Sequence, residues 1–146
     1  MTTSHTDADQ VARALQVSIR LLNHRLRLRP VDDEVALPEA SALARLDRLG
    51  PLDAASLARI EGISAQSIGA TVASLERRGF VSRDADPADG RRWLIQLTSA
   101  GLAALQRRRT RRADQLASAL AEEFSPDELA RLLDAAPLIE RLAERL

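Results

Sequence analysis

Two short helical segments joined by a glycine-containing turn, and followed at once by a predicted hairpin, constrain the fold of this chain more than any other feature. Asp53 can cap the first segment, and Gly62 ends it. Ser64 can cap the second segment, residues 65–78, which ends at Gly79. This arrangement is typical of a helix-turn-helix unit.

The residues after the second segment predict a hairpin. Phe80–Arg83 has the pattern of a strand, Asp86–Gly90 that of a turn, and Arg91–Leu97 that of a returning strand in which Trp93 is expected to pack at the base. Two strands directly after a helix-turn-helix form a wing. The remaining sequence is rich in Ala and Leu, which favour helices. The predicted fold class is therefore mainly α with a small β-hairpin wing.

Helices are also predicted before the winged unit. The first can be capped by Thr6 or Asp7 and ends at Pro30. The next begins near Pro38 and ends at Gly50. Apolar residues recur along the first helix at spacings of three and four: Val11, Leu15, Ile19, Leu22 and Leu26.

Two further helices are predicted after the wing. Thr98 can cap a long helix that continues to about Glu123. Ser125–Glu128 supplies an N-cap, a first-turn Pro and a capping-box Glu for the last helix. Pro137 lies inside that helix and is expected to kink or interrupt it, and so to alter any interface that the helix forms.

The apolar rows at the two ends of the chain need a partner surface, and a second copy of the chain supplies one. We therefore predict a homodimer. Residues 1–146 are interpreted as a single domain, with dimerisation helices at 8–30 and 99–146 around a winged helix-turn-helix part at 38–98. The residues predicted for the dimer interface are Val11, Leu15, Leu22, Leu129, Leu132, Leu133, Ile139 and Leu142.

Composition excludes several classes of protein. The 146 residues contain no Cys and two His, which argues against disulfides, thiolate chemistry and a transition-metal sensor. No apolar run approaches the roughly 18 residues of a membrane span, and the start of the chain lacks the apolar core of a signal peptide, so a cytoplasmic location is expected. No cofactor motif and no nucleophile–base arrangement is evident, so an enzyme is disfavoured.

The charge is distributed unevenly although its sum is zero. Residues 53–121 contain 11 Arg and seven acidic residues, a net charge of +4, whereas residues 122–146 contain three Arg and seven acidic residues, a net charge of −4. All 21 basic residues are Arg, whose planar guanidinium pairs well with phosphates and bases. The positive region coincides with the predicted winged unit, as expected of a nucleic-acid-binding surface.

The second short helix has an unusual outward side. Ile68, Val72 and Leu75 define its buried row. The opposite side holds Gln66, Ala70, Ala73 and Arg77, flanked by Ser67, Gly69 and Ser74. Small residues allow close approach to a major groove, where Gln, Ser and Arg can bond base edges. The alternative is an ordinary Ala-rich surface helix.

Arg91 and Arg92 leave the turn of the hairpin, and Asp89 lies just before them. An Arg at the tip of a hairpin can enter a minor groove, and Asp89 could hold Arg91 through a salt bridge. The alternative is a solvated hairpin. The cluster Arg107–Arg112 has three interpretations, namely a solvated or salt-bridged structural role with the acidic last helix as a reasonable partner, contacts to the DNA backbone, or an effector site.

The sequence resembles the MarR family of bacterial transcriptional regulators. The resemblance lies in Leu57–Arg59 and Ser64–Ser67, in the run Leu75–Arg83, and in Asp86–Arg91 followed by Leu97–Gly101. It implies an obligate dimer with intertwined terminal helices. It also implies the second short helix in the major groove, Arg91 in the minor groove with Asp89 supporting it, and in many members release of DNA by a small phenolic or anionic ligand.

We therefore predict a regulator, expected to be a repressor, that binds a pseudo-palindromic double-stranded operator and responds to a small aromatic or anionic effector. The predicted DNA-contacting residues are Gln66, Ser67, Ala70, Ser74, Arg77, Asp89, Arg91 and Arg92. The alternative is a winged-helix module for protein–protein contact that no longer reads DNA.

Overall fold

A computed structural model describes residues 7–28 and 34–146. The chain forms two compact units, of which the first contains the described residues 7–28 and the second contains residues 34–146. The predicted cap Thr6 and the predicted stop at Pro30 lie outside the described residues. Asp7 does begin the first helix, because its backbone carbonyl accepts the N–H of Val11 at 3.1 Å.

The first unit is one long helix, α1, spanning Ala8–Leu28. None of its described residues is buried. The apolar row predicted from the sequence remains on the surface, with Val11, Ile19 and Leu22 exposed by 41%, 45% and 53%.

The second unit contains five helices and three strands among its described residues. In chain order they are α2 Leu37–Leu49, β1 Leu52–Asp53, α3 Ala54–Glu61, α4 Ala65–Arg77, β2 Val81–Ala85, β3 Trp93–Leu97, α5 Ser99–Glu123 and α6 Pro126–Ala143. The predicted class, mainly α with a small hairpin wing, is confirmed. The long helices α5 and α6 belong to the same unit as the winged part.

The strands form an antiparallel sheet in the order β1-β3-β2. β1 was not predicted, because two residues carry no periodicity; Leu52 pairs with Ile95 of β3. The hairpin is shifted slightly from its predicted bounds, since β3 begins at Trp93 and leaves Arg91 and Arg92 in the turn. The expectation that Trp93 packs at the base of the wing is wrong, because its side chain is 60% exposed.

The core lies where α2, α3 and α4 meet the sheet and the start of α5. The row predicted to be buried on α4 is buried, with Ile68, Val72 and Leu75 at most 1% exposed. The other large core residues with almost no exposure are Val35, Leu43, Leu57 and Ile95. This apolar centre fixes which side of α4 points outward.

The start of α5 is packed tightly against the end of α4. Thr98 caps α5 by accepting the N–H of Gly101 at 3.0 Å, and its hydroxyl donates to the carbonyl of Gly79 at 2.7 Å. A Cβ at position 101 would overlap the carbonyl oxygen of Phe80 and lie 2.9 Å from Leu97 Cδ1. Glycine is therefore required at position 101 by the closeness of the neighbouring backbone.

The last helix, α6, begins with the predicted capping box. Ser125 donates its backbone N–H to Glu128 Oε2 at 2.9 Å, and the Glu128 N–H donates back to Ser125 Oγ at 3.4 Å. The predicted interruption at Pro137 is wrong, since α6 continues through it. Proline has no backbone N–H, so the hydrogen bond that the Leu133 carbonyl would otherwise accept within α6 is missing.

The apolar row of α6 is exposed like that of α1. Leu132, Ile139 and Leu142 are 47%, 45% and 41% exposed, and Leu129 is partly buried. No helix in the described part of the chain has both the length and the apolar character needed to cross a membrane.

Candidate nucleic-acid interface

The helix-turn-helix is built from local caps that the sequence predicted. Asp53 Oδ1 accepts the N–H of Ser56 at 2.8 Å at the start of α3. Gly62 ends α3 with φ of +65°, a left-handed conformation that glycine adopts without strain. Ser64 Oγ accepts the N–H of Ser67 at 3.1 Å and begins α4.

The outward side of α4 carries two long polar side chains separated by small ones. Gln66, Ser67, Ala70 and Arg77 are exposed. Among the described residues, neither Gln66 nor Arg77 has a side-chain partner, whereas the Ser67 hydroxyl accepts from that of Ser64 at 2.9 Å. An outside acceptor or donor therefore meets two uncommitted polar groups on this helix.

Ser74, predicted to contact DNA from the flank of this outward side, is directed away from it. It is partly buried, and its hydroxyl donates to Glu39 Oε1 at 2.7 Å. Its hydrogen-bonding capacity is directed toward α2 rather than toward a ligand. The angular spacing on a helical wheel placed Ser74 at the flank, and the carboxylate of α2 decided which way it turned.

Glu39 was missed by the sequence analysis. It is 8% exposed, and its Oε2 accepts from the N–H of Ala36 and from Arg78 Nη1, each at 2.9 Å. Burial raises the pKa of the Glu39 carboxyl, but the hydrogen bonds from Ser74, Ala36 and Arg78 outweigh it and hold the pKa below the usual 4.5. Its place in the first turn of α2 was the available signal.

The tip of the wing is organised by aspartates that bond the backbone. Asp86 Oδ1 accepts the N–H of Ala88 at 2.9 Å, and Asp89 Oδ1 accepts the N–H of Arg91 at 3.1 Å. The expected salt bridge between Asp89 and the Arg91 side chain is absent from the described residues. Asp89 instead holds the backbone of Arg91, because a short carboxylate in a turn reaches the main chain two residues on.

Arg92 turns back toward the helix-turn-helix. Its Nη2 forms an ion pair with Asp53 Oδ2, the carboxylate that also caps α3. The pKa of Asp53 lies below its usual range because it accepts from the Ser56 N–H and from Arg92, and the same pair raises the pKa of Arg92. Arg92, predicted to contact DNA, is thus engaged within the chain.

Within α4 and the hairpin, the described arginines without an ion-pair partner lie at two places, while Arg48 in α2 and Arg59 in α3 are likewise exposed and have none. Arg78 is held by Glu39, Arg83 by Glu76 at 3.1 Å, and Arg92 by Asp53. In the described winged part, Arg77 at the end of α4 and Arg91 at the tip of the wing are exposed and have no ion-pair partner. These two guanidinium groups are available to an anionic partner.

The arginine cluster of α5 forms salt bridges, one of its three interpretations. Arg107 Nη2 lies 2.6 Å from Glu34 Oε2, and Arg109 Nη1 lies 3.0 Å from Asp47 Oδ2. The expected partner, the acidic last helix, is wrong for these two residues, because α5 packs along α2 and the segment before it. Arg112 donates within its own helix, to Gln115 at 3.0 Å.

Comparison with known proteins identifies this architecture. Residues 35–93 match the profile of the MarR family. An uncharacterized HTH-type transcriptional regulator of Mycobacterium bovis is 33% identical over 116 residues, which span 79% of this chain and 81% of the relative. The chain belongs to the MarR family.

Solved structures of other regulators agree with this assignment. A protein of Pseudomonas aeruginosa assigned as a transcriptional regulator is 30% identical, with a TM-score of 0.79 over 92% of this chain and 94% of its own. The PcaV transcriptional regulator of Streptomyces coelicolor, in complex with its natural ligand, is 31% identical, with a TM-score of 0.56 over 99% and 96%.

Members of the MarR family are transcriptional regulators that bind DNA and dimerise, and they are not enzymes. In this MarR protein, the outward side of α4 and the tip of the wing are therefore the candidate DNA-contacting surfaces. The described residues of this MarR chain contain no group of three His, Cys, Asp or Glu arranged to hold a metal ion.

Proposed function

We propose that this MarR chain is a repressor that binds a pseudo-palindromic operator as a homodimer and releases it when a small aromatic or anionic ligand binds. The observation that carries the proposal is the pair of exposed, unpaired guanidinium groups of Arg77 and Arg91, one on the helix and one on the wing. They lie on the two elements with which a winged helix-turn-helix contacts a duplex.

The outward side of α4 is proposed to read base edges in the major groove. Gln66 and Arg77 supply uncommitted hydrogen-bonding groups at its two ends, and Ala70 between them allows the backbone to approach closely. Ser67 is proposed to contact the DNA backbone, or a base next to the one that Gln66 contacts. A Gln or Arg side chain that forms two hydrogen bonds with one base edge discriminates against a wrong base by about 1–3 kcal/mol.

The wing is proposed to contribute a positive charge and to favour sites at which the minor groove is narrow. Arg91 stands at the exposed tip, and Asp89 fixes its backbone. A guanidinium in a narrow minor groove is attracted by the concentrated phosphate potential there. Arg92 is proposed to support the wing through Asp53 instead of touching DNA.

The homodimer is proposed to form through the exposed apolar rows of α1 and α6. The rows comprise Val11, Leu15 and Leu22 on α1, and Leu129, Leu132, Leu133, Ile139 and Leu142 on α6. Two-fold symmetry would place two α4 helices about one helical turn of DNA apart, near 34 Å, which requires a pseudo-palindromic site.

Two observations support control by a ligand. The homologous PcaV was solved with its natural ligand. On one face of α5, a shallow and open depression is lined by Ala103, Gln106, Arg107, Thr110 and Arg111. Apolar methyl and methylene groups beside two guanidinium groups suit an aromatic acid, and a ligand that weakens DNA binding must itself bind DNA-bound protein more weakly by the same factor.

DNA reading is tested by in vitro selection followed by titration of three variants. Gln66→Ala and Arg77→Ala should each cost about 1–3 kcal/mol on the selected duplex and little on a random duplex. Arg91→Ala should weaken both and lower the salt dependence. Wild-type protein that selects no sequence would contradict the proposal and favour the protein–protein module.

Ligand control is tested separately by calorimetry with a panel of aromatic acids that includes salicylate. Binding should be detectable at millimolar concentration or below, and it should weaken when the selected duplex is present. A panel without any binding would remove the regulatory part of the proposal and leave the DNA-binding part intact.

A further inference from the structure

Glu39 joins the start of α2 to the end of α4 at one buried point. Its carboxylate accepts from Ser74 Oγ at 2.7 Å, from Arg78 Nη1 at 2.9 Å and from the N–H of Ala36 at 2.9 Å. Arg78 also donates to the carbonyl of Glu34. Because charged hydrogen bonds are directional and strong, the end of α4 cannot shift against α2 without breaking several of them.

Segment 34–36 is held from the other side by α5. Arg107 Nη2 lies 2.6 Å from the Glu34 carboxylate, and Arg108 Nη1 donates to the carbonyl of Val35 at 2.9 Å. The side chain of Val35 is itself in the core, 1% exposed. The segment is therefore clamped between α5 and the end of α4.

We propose that Glu39 is a positioning residue that fixes the DNA-reading helix α4, and that segment 34–36 transmits the position of α5 to it. We call Glu39, Ser74, Arg78 and segment 34–36 the Glu39 junction. The inference rests on the proposed function, because that function assigns the reading of bases to α4. A displacement of α5 near Arg107 changes the hydrogen bonds at the junction and hence the setting of α4.

The chain offers a matched control on the same helix. Ser41 and Arg45 of α2 bond Glu61 of α3, with Arg45 Nε 2.7 Å from Glu61 Oε1. The Glu61 side chain is 11% exposed, compared with 10% for Glu39. Both clusters combine Glu, Ser and Arg, but that of Glu61 ties α2 to α3 and does not touch α4. Glu61→Gln therefore reports the general effect of losing a buried charged cluster.

The first experiment compares Glu39→Gln with Glu61→Gln in the full chain, at a temperature at which circular dichroism shows both folded. The probes are the duplex selected by wild-type protein and a random duplex of equal length. Glu39→Gln should lower the preference for the selected duplex by at least about fivefold, within the usual range of coupling between sites. Glu61→Gln should stay within about twofold of wild type.

Hydrogen exchange in the free protein supplies a second readout. Glu39→Gln should accelerate exchange at the amides of α4, and Glu61→Gln at those of α3. Wild-type base preference together with wild-type exchange in α4 for Glu39→Gln would overturn the positioning role. Equal loss of preference in both variants would overturn it as well. Selection of no sequence by wild type would refute the proposed function, and exchange in α4 would still decide the role of Glu39.

The second experiment addresses transmission from α5. Arg107→Gln removes the contact to Glu34, whereas Arg109→Gln removes a similar pair with Asp47 that does not involve the junction. We expect faster exchange in α4 and lower base preference for Arg107→Gln only. In the Glu39→Gln background, Arg107→Gln should add little, because groups in one network are not independent. Fully additive effects, or equal effects of both Arg variants, would overturn the transmission.

Discussion

Arg92 in the wing and Asp53 ahead of α3 form an ion pair that joins the hairpin to the helix-turn-helix. Backbone pairing joins the same two elements, because Asp53 in β1 pairs with Leu94 of β3. The neighbouring Arg91 has no such partner among the described residues. Two consecutive arginines are thus differently employed, one holding the wing and one facing outward.

Arg91→Ala and Arg92→Ala should therefore differ in their salt dependence. Loss of Arg91 should lower the slope of log K against log salt by about 0.9, the value for one phosphate contact. Loss of Arg92 should leave the slope close to wild type while loosening the wing. Trp93 is the only Trp in the chain, so the fall of its fluorescence anisotropy reports that loosening. A slope lowered by the same amount in both variants would show that Arg92 also contacts DNA.

Leu133→Asp should break the dimer. Leu133 is 74% exposed in the single chain, and burying a Leu side chain contributes about 1.5–3 kcal/mol. Two copies are lost in a symmetric dimer, so the dissociation constant should rise at least about a hundredfold. Sedimentation at micromolar concentration measures this, with Asp134→Ala, on the opposite side of α6 from the apolar row, as the control. Unchanged dimerisation of Leu133→Asp would exclude this part of α6 from the interface.

Gly101→Ala should destabilise the fold by about 1–3 kcal/mol, the usual effect of a side chain forced into a packed site. The added Cβ would collide with the carbonyl of Phe80, which cannot turn away because it accepts the N–H of Thr98 at 3.1 Å. Gly69→Ala is the matched control, since nothing lies within 4 Å of its Cβ, and it should stabilise α4 by up to about 1 kcal/mol. Urea unfolding of both variants checks the opposite signs.

Acid should remove the stability contributed by Glu39. Its pKa is lower in the folded chain than the usual 4.5, so its contribution is complete above that value and is lost as pH falls through the folded pKa. Arg78 is the charged group that faces it within the described structure. The stability difference between wild type and Glu39→Gln should therefore shrink on acidification. A difference that is constant from neutral pH to about pH 3 would contradict the assignment.

The sequence correctly predicted the features that are set by residues a few positions apart in the chain, such as helix caps and the buried side of a helix. The caps Asp53, Ser64 and Thr98 and the inward row of α4 follow from spacings of three and four residues, and the structure has them. The Glu39–Ser74 contact was not predicted, because its partners lie 35 residues apart and are chosen by packing.

Trp93 illustrates the other source of error. Alternation along β3 places Trp93 on the same face as Ile95, which is buried. Trp93 pairs with Ala85 at the outer end of the hairpin, beyond the reach of the core. Residue type predicted packing, and position along the strand prevented it. Arg92 is similar, since its charge suggested DNA while the cap of α3, 39 residues earlier, holds it.

The close approach of Gly101 to Phe80 leaves no room for α5 to slide or lift at its first turn. Reorientation of α5 is therefore a tilt about that turn. With about 1.5 Å of rise per residue, Arg108 lies roughly 10 Å from this pivot and Glu123 roughly 33 Å. A tilt of about 10° would move the first by roughly 2 Å and the second by roughly 6 Å. In the proposed transmission, a displacement of the far end of α5 would therefore reach segment 34–36 as a movement about one third as large.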